Sequence, residues 1–128
     1  MKDNSFIEEC LDHAMRNLKS AKVLLQNDCG NDYVAFHCQQ AIEKALKALI
    51  LYLFATLESG HSLLYLCKKV MEKEPSFKDV FEKCLFVNQY YIETRYPNEN
   101  QVKVTEEEAK RCIEIAEEVL EKVLKCIN

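Results

Sequence analysis

A chain of 128 residues fits one domain, large enough to bury roughly two-thirds of the surface that its unfolded form exposes. Only two glycines and two prolines leave little for a turn-rich β architecture, and the net charge of -4 argues against general nucleic-acid affinity, which depends on clustered positive charge. The seven cysteines (Cys10, Cys29, Cys38, Cys67, Cys84, Cys112, Cys126) stand singly, without a C-x-x-C pair or a His pair at zinc spacing, so they read as small hydrophobes rather than metal ligands.

The chain opens on Met1, Lys2, Asp3 and Asn4 and passes directly into an amphipathic pattern, with no cleavable signal sequence expected. The first helix is predicted from about Asn4 or Ser5 to Asp28, where Phe6, Ile7, Cys10, Leu11, Ala14, Leu18, Ala21 and Leu25 recur at steps of three and four. Gly30 suits the left-handed position that closes a helix, and Asn31 or Asp32 is placed to cap the next one.

The second helix, roughly Asp32 to Leu57, changes character along its length. In its first half Gln40, Glu43, Lys44 and Lys47 form one polar stripe; in its second half the stripe continues as Ile50, Leu51 and Phe54. Such a helix is either central or covered by a partner, which makes Ile50, Leu51 and Phe54 candidates for a dimer interface. The longest uncharged apolar run, 48–57, is about half what a bilayer span needs, so no membrane association and a cytoplasmic location are expected.

Ser59 to Ser62 make a turn, and Leu63, Leu64, Leu66, Cys67, Val70 and Met71 give a short helix that stops before Pro75. Ser76 is the expected cap of a fourth helix, which carries Phe77, Val80, Phe81, Cys84, Leu85, Val87, Tyr91 and Ile92 and ends at Pro97. Thr105 and Glu108 form a capping box for a last helix with an apolar stripe from Ala109 to Ile127. The fold class is therefore all-α: an antiparallel up-and-down four-helix-type bundle with an additional short helix, in one domain over 1–128.

The stripe on the second helix supports two readings. Two lysines and an amide on one side can meet a phosphate or a nucleobase, or Glu43 and Lys47 can pair at i,i+4 on a solvated face. Arg95 and Tyr96 fall where the fourth helix ends, and a guanidinium there can cap the helix or hold a phosphate bidentately. Gln40, Lys44, Lys47, Arg95 and Tyr96 are accordingly the candidate anion or nucleotide site. His61, before an apolar helix, reads as a hydrogen-bonded structural residue, and His13 and His37 have no evident partner. No catalytic residue, metal ligand or cofactor is assigned.

The segment Asp32-Tyr33-Val34-Ala35-Phe36-His37-Cys38-Gln39-Gln40-Ala41-Ile42-Glu43-Lys44-Ala45-Leu46-Lys47-Ala48-Leu49 resembles the second helix of HEPN domains, where an aromatic residue, a Gln-Gln-Ala-x-Glu-Lys core and a further Lys recur. Ala21 to Leu25, His61-Ser62-Leu63, Arg95-Tyr96-Pro97 and the closing helix from Glu107 to Val123 accompany it in order. The resemblance implies a small helical bundle that forms a homodimer, often encoded beside a minimal nucleotidyltransferase and associated with nucleotide binding or toxin-antitoxin systems. Many members are ribonucleases with an Arg, four to six variable residues and a His. Here no His follows Arg95 or Arg111, and Arg16 is followed only by the distant His37. The resemblance thus points to a non-catalytic binding module, with a degenerate metal-independent ribonuclease using Arg95 and His61, or a ligand-free homodimeric adaptor, as alternatives.

Overall fold

The computed structural model describes residues 4–93 and 103–128. Among them are α1 (Asn4–Gln26), α2 (Asn31–Phe54), α3 (Leu63–Met71), a 3-10 turn (Pro75–Phe77), α4 (Lys78–Asn88), α5 (Tyr90–Glu93) and α6 (Glu106–Ile127), and no strand. No helix among the described residues is long and apolar enough to cross a membrane.

The contacts fix the direction of each helix. His37 of α2 meets Asn17 of α1, while Lys44 of α2 shares a pocket with Cys10 of α1, so these two helices run antiparallel. Asn31 at the start of α2 donates to the Val104 carbonyl just before α6, and Leu51 and Ile127 at the far ends share one apolar cluster, so α2 and α6 run parallel. Lys83 bonds Glu118 and Arg111 lies over Phe86, which sets α4 antiparallel to α6. The helices α1, α2, α4 and α6 thus alternate up and down, with α3 the added short helix. The segment 55–62 climbs back along α2, so α3 starts beside the middle of α2 and ends where Lys73 reaches the Leu53 carbonyl.

α2 is the central helix. Val34, Ala35, Cys38, Ala41, Ile42, Ala45, Leu46, Leu49 and Ile50 are fully buried, in one core with residues of α1, α3, α4 and α6. In its apolar second half Ala48, Leu49, Ile50 and Leu51 are buried within the chain, while Tyr52, Leu53 and Phe54 are half-buried.

Several helix ends depart from the sequence expectation. α1 is closed by Asp28 in the left-handed region (φ 52), with Cys29 N–H donating to Leu24 and Asp28 N–H to Leu25, the two bonds of a Schellman motif. Gly30 (φ 115) instead opens α2, and a Cβ there would come within 2.9 Å of the Asp32 carboxylate. Asn31, expected as a cap, spends its amide on Val104. α2 stops at Phe54, three residues short of Leu57, because Ala55 turns left-handed (φ 55). Ser76 lies inside the 3-10 turn and caps nothing, and α4 breaks at Gln89 before the short α5. The capping box forms as expected: Thr105 Oγ1 accepts from Glu108 N–H at 3.0 Å, and Glu108 Oε1 from Thr105 N–H at 2.9 Å.

Candidate functional site

The most costly residue in the fold is Glu43, fully buried at the middle of α2. A carboxylate out of water carries a penalty of several kcal/mol unless it is paired and hydrogen-bonded. Lys47, one turn on, donates to Glu43 Oε2 at 2.8 Å, and His61 Nδ1 stands 3.0 Å from the same oxygen. Gln39, one turn back, places Nε2 at 3.4 Å from Glu43 Oε1 and donates to the His61 carbonyl at 3.1 Å. Gln40 donates to Gln39 Oε1 at 2.7 Å, and no buried side-chain nitrogen or oxygen among the described residues is left without a partner. The network therefore locks the end of the climbing segment onto α2. Ser62 Oγ accepts from Tyr65 N–H and Asn88 Oδ1 from Leu63 N–H, which fix the start of α3 just beyond it.

This polar core reaches the surface on two sides. On one, the His61 side chain is 53% exposed and stacks on Tyr91 with ring centroids 5.0 Å apart and planes at 17°. Tyr91 in turn stacks on Phe36 at 6.4 Å, and Phe36 meets His37 edge-on at 5.9 Å. The Asn17 amide donates to the His13 carbonyl, so its Oδ1 is the acceptor and His37 Nδ1 carries the hydrogen between them. Burial holds the His37 pKa below its ordinary value.

On the other side a pocket of about 320 Å³ lies between α1, α2 and the segment after α2, with Phe6, Glu9, Cys10, His13, Lys44, Lys47, Leu57, Glu58 and Ser59 in its wall. Lys47 is neutralised by Glu43, whereas Lys44 is half-buried and has no ion-pair partner among the described residues. Burial pushes the Cys10 thiol up, with Lys44 and Lys47 acting the other way. The wall is amphipathic: Phe6, Cys10 and Leu57 give an apolar surface, Glu9 and Glu58 are carboxylates, and Lys44 is a cation with no ion pair among the described residues.

Of the sequence candidates, Lys44 and Lys47 come together in this pocket, while Gln40 sits behind it as part of the network. Arg95 and Tyr96 lie outside the described residues. The expected i,i+4 pairing of Glu43 with Lys47 is present, but not on a solvated face: the two side chains are 1% and 10% exposed. Ile50 and Leu51, candidates for a dimer interface, are core residues of their own chain. Phe54 is half-buried, with the ammonium groups of Lys69 and Lys73 at 4.5 and 4.7 Å from its ring centroid.

His61, read from the sequence as a hydrogen-bonded structural residue, and Tyr91, read as part of an apolar stripe, were not among the candidate ligand residues; in the structure His61 meets Glu43 and Tyr91 stacks on it. The signal was the helical face shared by Gln39, Glu43, Leu46 and Ile50: if Leu46 and Ile50 turn inward, Glu43, two turns before Ile50, is carried inward with them. A buried carboxylate then requires a partner from elsewhere in the chain.

A small up-and-down helical bundle, pinned by a polar network on its second helix and carrying an imidazole and a lysine at the edges of that network, defines a class of small all-helical domain. The HEPN domain family model matches residues 7–127, and the chain belongs to that family. Among solved structures it is similar to TT1696 from Thermus thermophilus, with 30% identity, a TM-score of 0.82, and 93% of this chain and 96% of that chain covered. It is also similar to ST0689, described as an archaeal HEPN homologue, with 25% identity, a TM-score of 0.77, and 95% and 98% of the two chains covered. No curated protein matches the chain.

Proposed function

We propose that this HEPN domain is a binding module rather than a nuclease, taking a nucleotide and serving as the non-catalytic companion of a minimal nucleotidyltransferase in a toxin-antitoxin-like pair. The observation that supports the ligand is the split between the two lysines of the α2 motif. Glu43 neutralises Lys47 and makes it part of the scaffold, while Lys44 makes no ion pair among the described residues, in a pocket walled by Phe6 that also holds Glu9 and Glu58. A phosphate on Lys44 with a base against Phe6 satisfies both. A volume of about 320 Å³ is at the lower end for ligand pockets and suits a nucleoside monophosphate better than a triphosphate. Calorimetric titration with AMP, GMP, ATP and GTP tests this: saturable binding that Lys44→Ala abolishes supports it, and no heat at millimolar ligand removes it. Co-purification with a separately encoded minimal nucleotidyltransferase tests the companion role. Membership of the family supports a homodimer as the assembly.

A second reading has its own observation. Glu43 Oε2 on His61 Nδ1 orients an exposed imidazole as a carboxylate orients a general base, with Nε2 as the ring's remaining polar atom. In that reading His61 acts with Arg95 as a metal-independent ribonuclease. Cleavage of structured or single-stranded RNA, lost in both His61→Ala and Arg95→Ala, would establish it, and intact RNA ends it.

A further inference from the structure

The polar network does not use the opposite edge of the bundle, where α1 and α6 diverge and leave a groove of about 730 Å³. Leu18, Leu120 and Leu124 make its floor, and Met15, 54% exposed, stands beside them. Basic residues line the α1 wall and acidic residues the middle of the α6 wall. We infer that this groove is the interface at which a second copy of the chain docks; the inference takes the homodimer of the proposed function and gives it a surface.

The level of the charges identifies the occupant. α1 and α6 are antiparallel, and Lys22 forms an ion pair with Glu117 across the groove. Stepping one turn along both helices, at about 1.5 Å per residue, brings Lys19 level with Glu121 to within about 2 Å. One more turn brings Met15 level with Leu124. A two-fold axis parallel to the helices keeps these levels and sets α1 of one copy over α6 of the other. Lys19 then faces Glu121 of the second copy twice, and the Met15 and Leu124 layers close on one another. An axis perpendicular to the helices would set α1 against α1 and oppose like charges. A foreign helix of one predominant charge would suit one wall and be repelled by the other, whereas a second copy satisfies both.

The size is adequate. Helices of 23 and 22 residues are about 33 Å long, and two of them side by side present a face of about 600 Å². Two such faces bury about 1,200 Å², the lower bound of stable protein interfaces. Glu121 is held within its own chain only by exposed Lys125 at 3.5 Å, an i,i+4 pair that yields readily to a better partner.

Sedimentation equilibrium of the wild-type chain, Met15→Glu, Lys19→Glu and the double variant Lys19→Glu/Glu121→Lys tests the placement, with circular dichroism reporting on the fold of each. The expected result is a wild-type dimer of twice the 14.9 kDa chain mass. Met15→Glu should be a folded monomer, and Lys19→Glu should dissociate at least tenfold more readily. The double variant, which restores both cross-copy pairs with their signs exchanged, should recover the dimer. A wild-type chain that is monomeric at about 100 µM overturns the inference together with the homodimer. A dimer untouched by Met15→Glu overturns the placement alone. A double variant no better than Lys19→Glu overturns the two-fold arrangement.

Discussion

Two side chains on α2 show how far burial alters the meaning of a residue. Glu43 is held by Lys47, Gln39 and His61, and the balance is asymmetric. Glu43→Ala leaves the Lys47 ammonium, 10% exposed, without its ion-pair partner and should cost about 3 kcal/mol, a large part of the stability of a domain this size. Lys47→Ala leaves the carboxylate two of its partners and should cost clearly less. Urea midpoints at constant m-value compare them, and equal losses would show that the ammonium needs no counter-charge. His37 gives a pH dependence of known sign. Its folded pKa is lowered by desolvation from the usual 6.5, so the unfolded chain binds the proton more readily. Stability from this group is complete above about pH 6.5 and is lost as the pH falls from there toward the lower folded value. His37→Gln should flatten the plot of urea midpoint against pH in that window; an unchanged slope would mean that the imidazole is not desolvated.

At the scale of the element, the end of α2 holds a correctable strain. Ala55 sits at φ 55 and ψ 34, a left-handed conformation that costs an L-residue about 1–2 kcal/mol, and its side chain is exposed. Ala55→Gly removes that cost without losing packing, and part of the gain is offset by the greater freedom of glycine in the unfolded chain. The variant should be about 0.5–1 kcal/mol more stable, read as a higher urea midpoint; a lower one would show that Ala55 contributes packing. The same helix ends show what was legible in the sequence. Thr105 and Glu108 cap α6 as expected because both bonds close within three residues and the motif carries its own partners. Gly30 was a fair choice for a left-handed position but Asp28 took it, since the Schellman geometry depends on the level at which α1 must leave the bundle. The break after Asn88 was hidden for a similar reason: the Asn88 side chain leaves its own helix to cap α3, 25 residues earlier in the chain. The four-helix-type architecture was legible from apolar stripes. The partnership of Glu43 with His61, 18 residues apart, was not, because no local pattern records that the segment after α2 climbs back.

For the whole molecule, the cysteines report whether these helices open together. Cys38, Cys67, Cys84 and Cys112 are fully buried, one on each of α2, α3, α4 and α6, and all are free thiols in one apolar cluster. Burial pushes Cys112 up to about 12 and raises Cys38 well above the ordinary thiol value. The hydrogen bond between Cys84 and Cys67 raises the first and lowers the second. A thiol reagent needs both access and thiolate, so Cys67 gains nothing from its lowered value while the core is closed. Cys29 is exposed and should react first, and the half-buried Cys10 and Cys126, both raised by burial, more slowly. The four core thiols should react only through unfolding, at rates that rise with sub-denaturing urea along the slope of the global transition, because the central α2 packs on every other helix. Mass-resolved labelling distinguishes the sites. Labelling of Cys67 and Cys84 at a rate independent of urea, with Cys38 and Cys112 still protected, would show that α3 and α4 open as a separate unit. In that case the segment holding His61 against Glu43 would be the hinge, and the candidate site would be joined to the least stable part of the bundle.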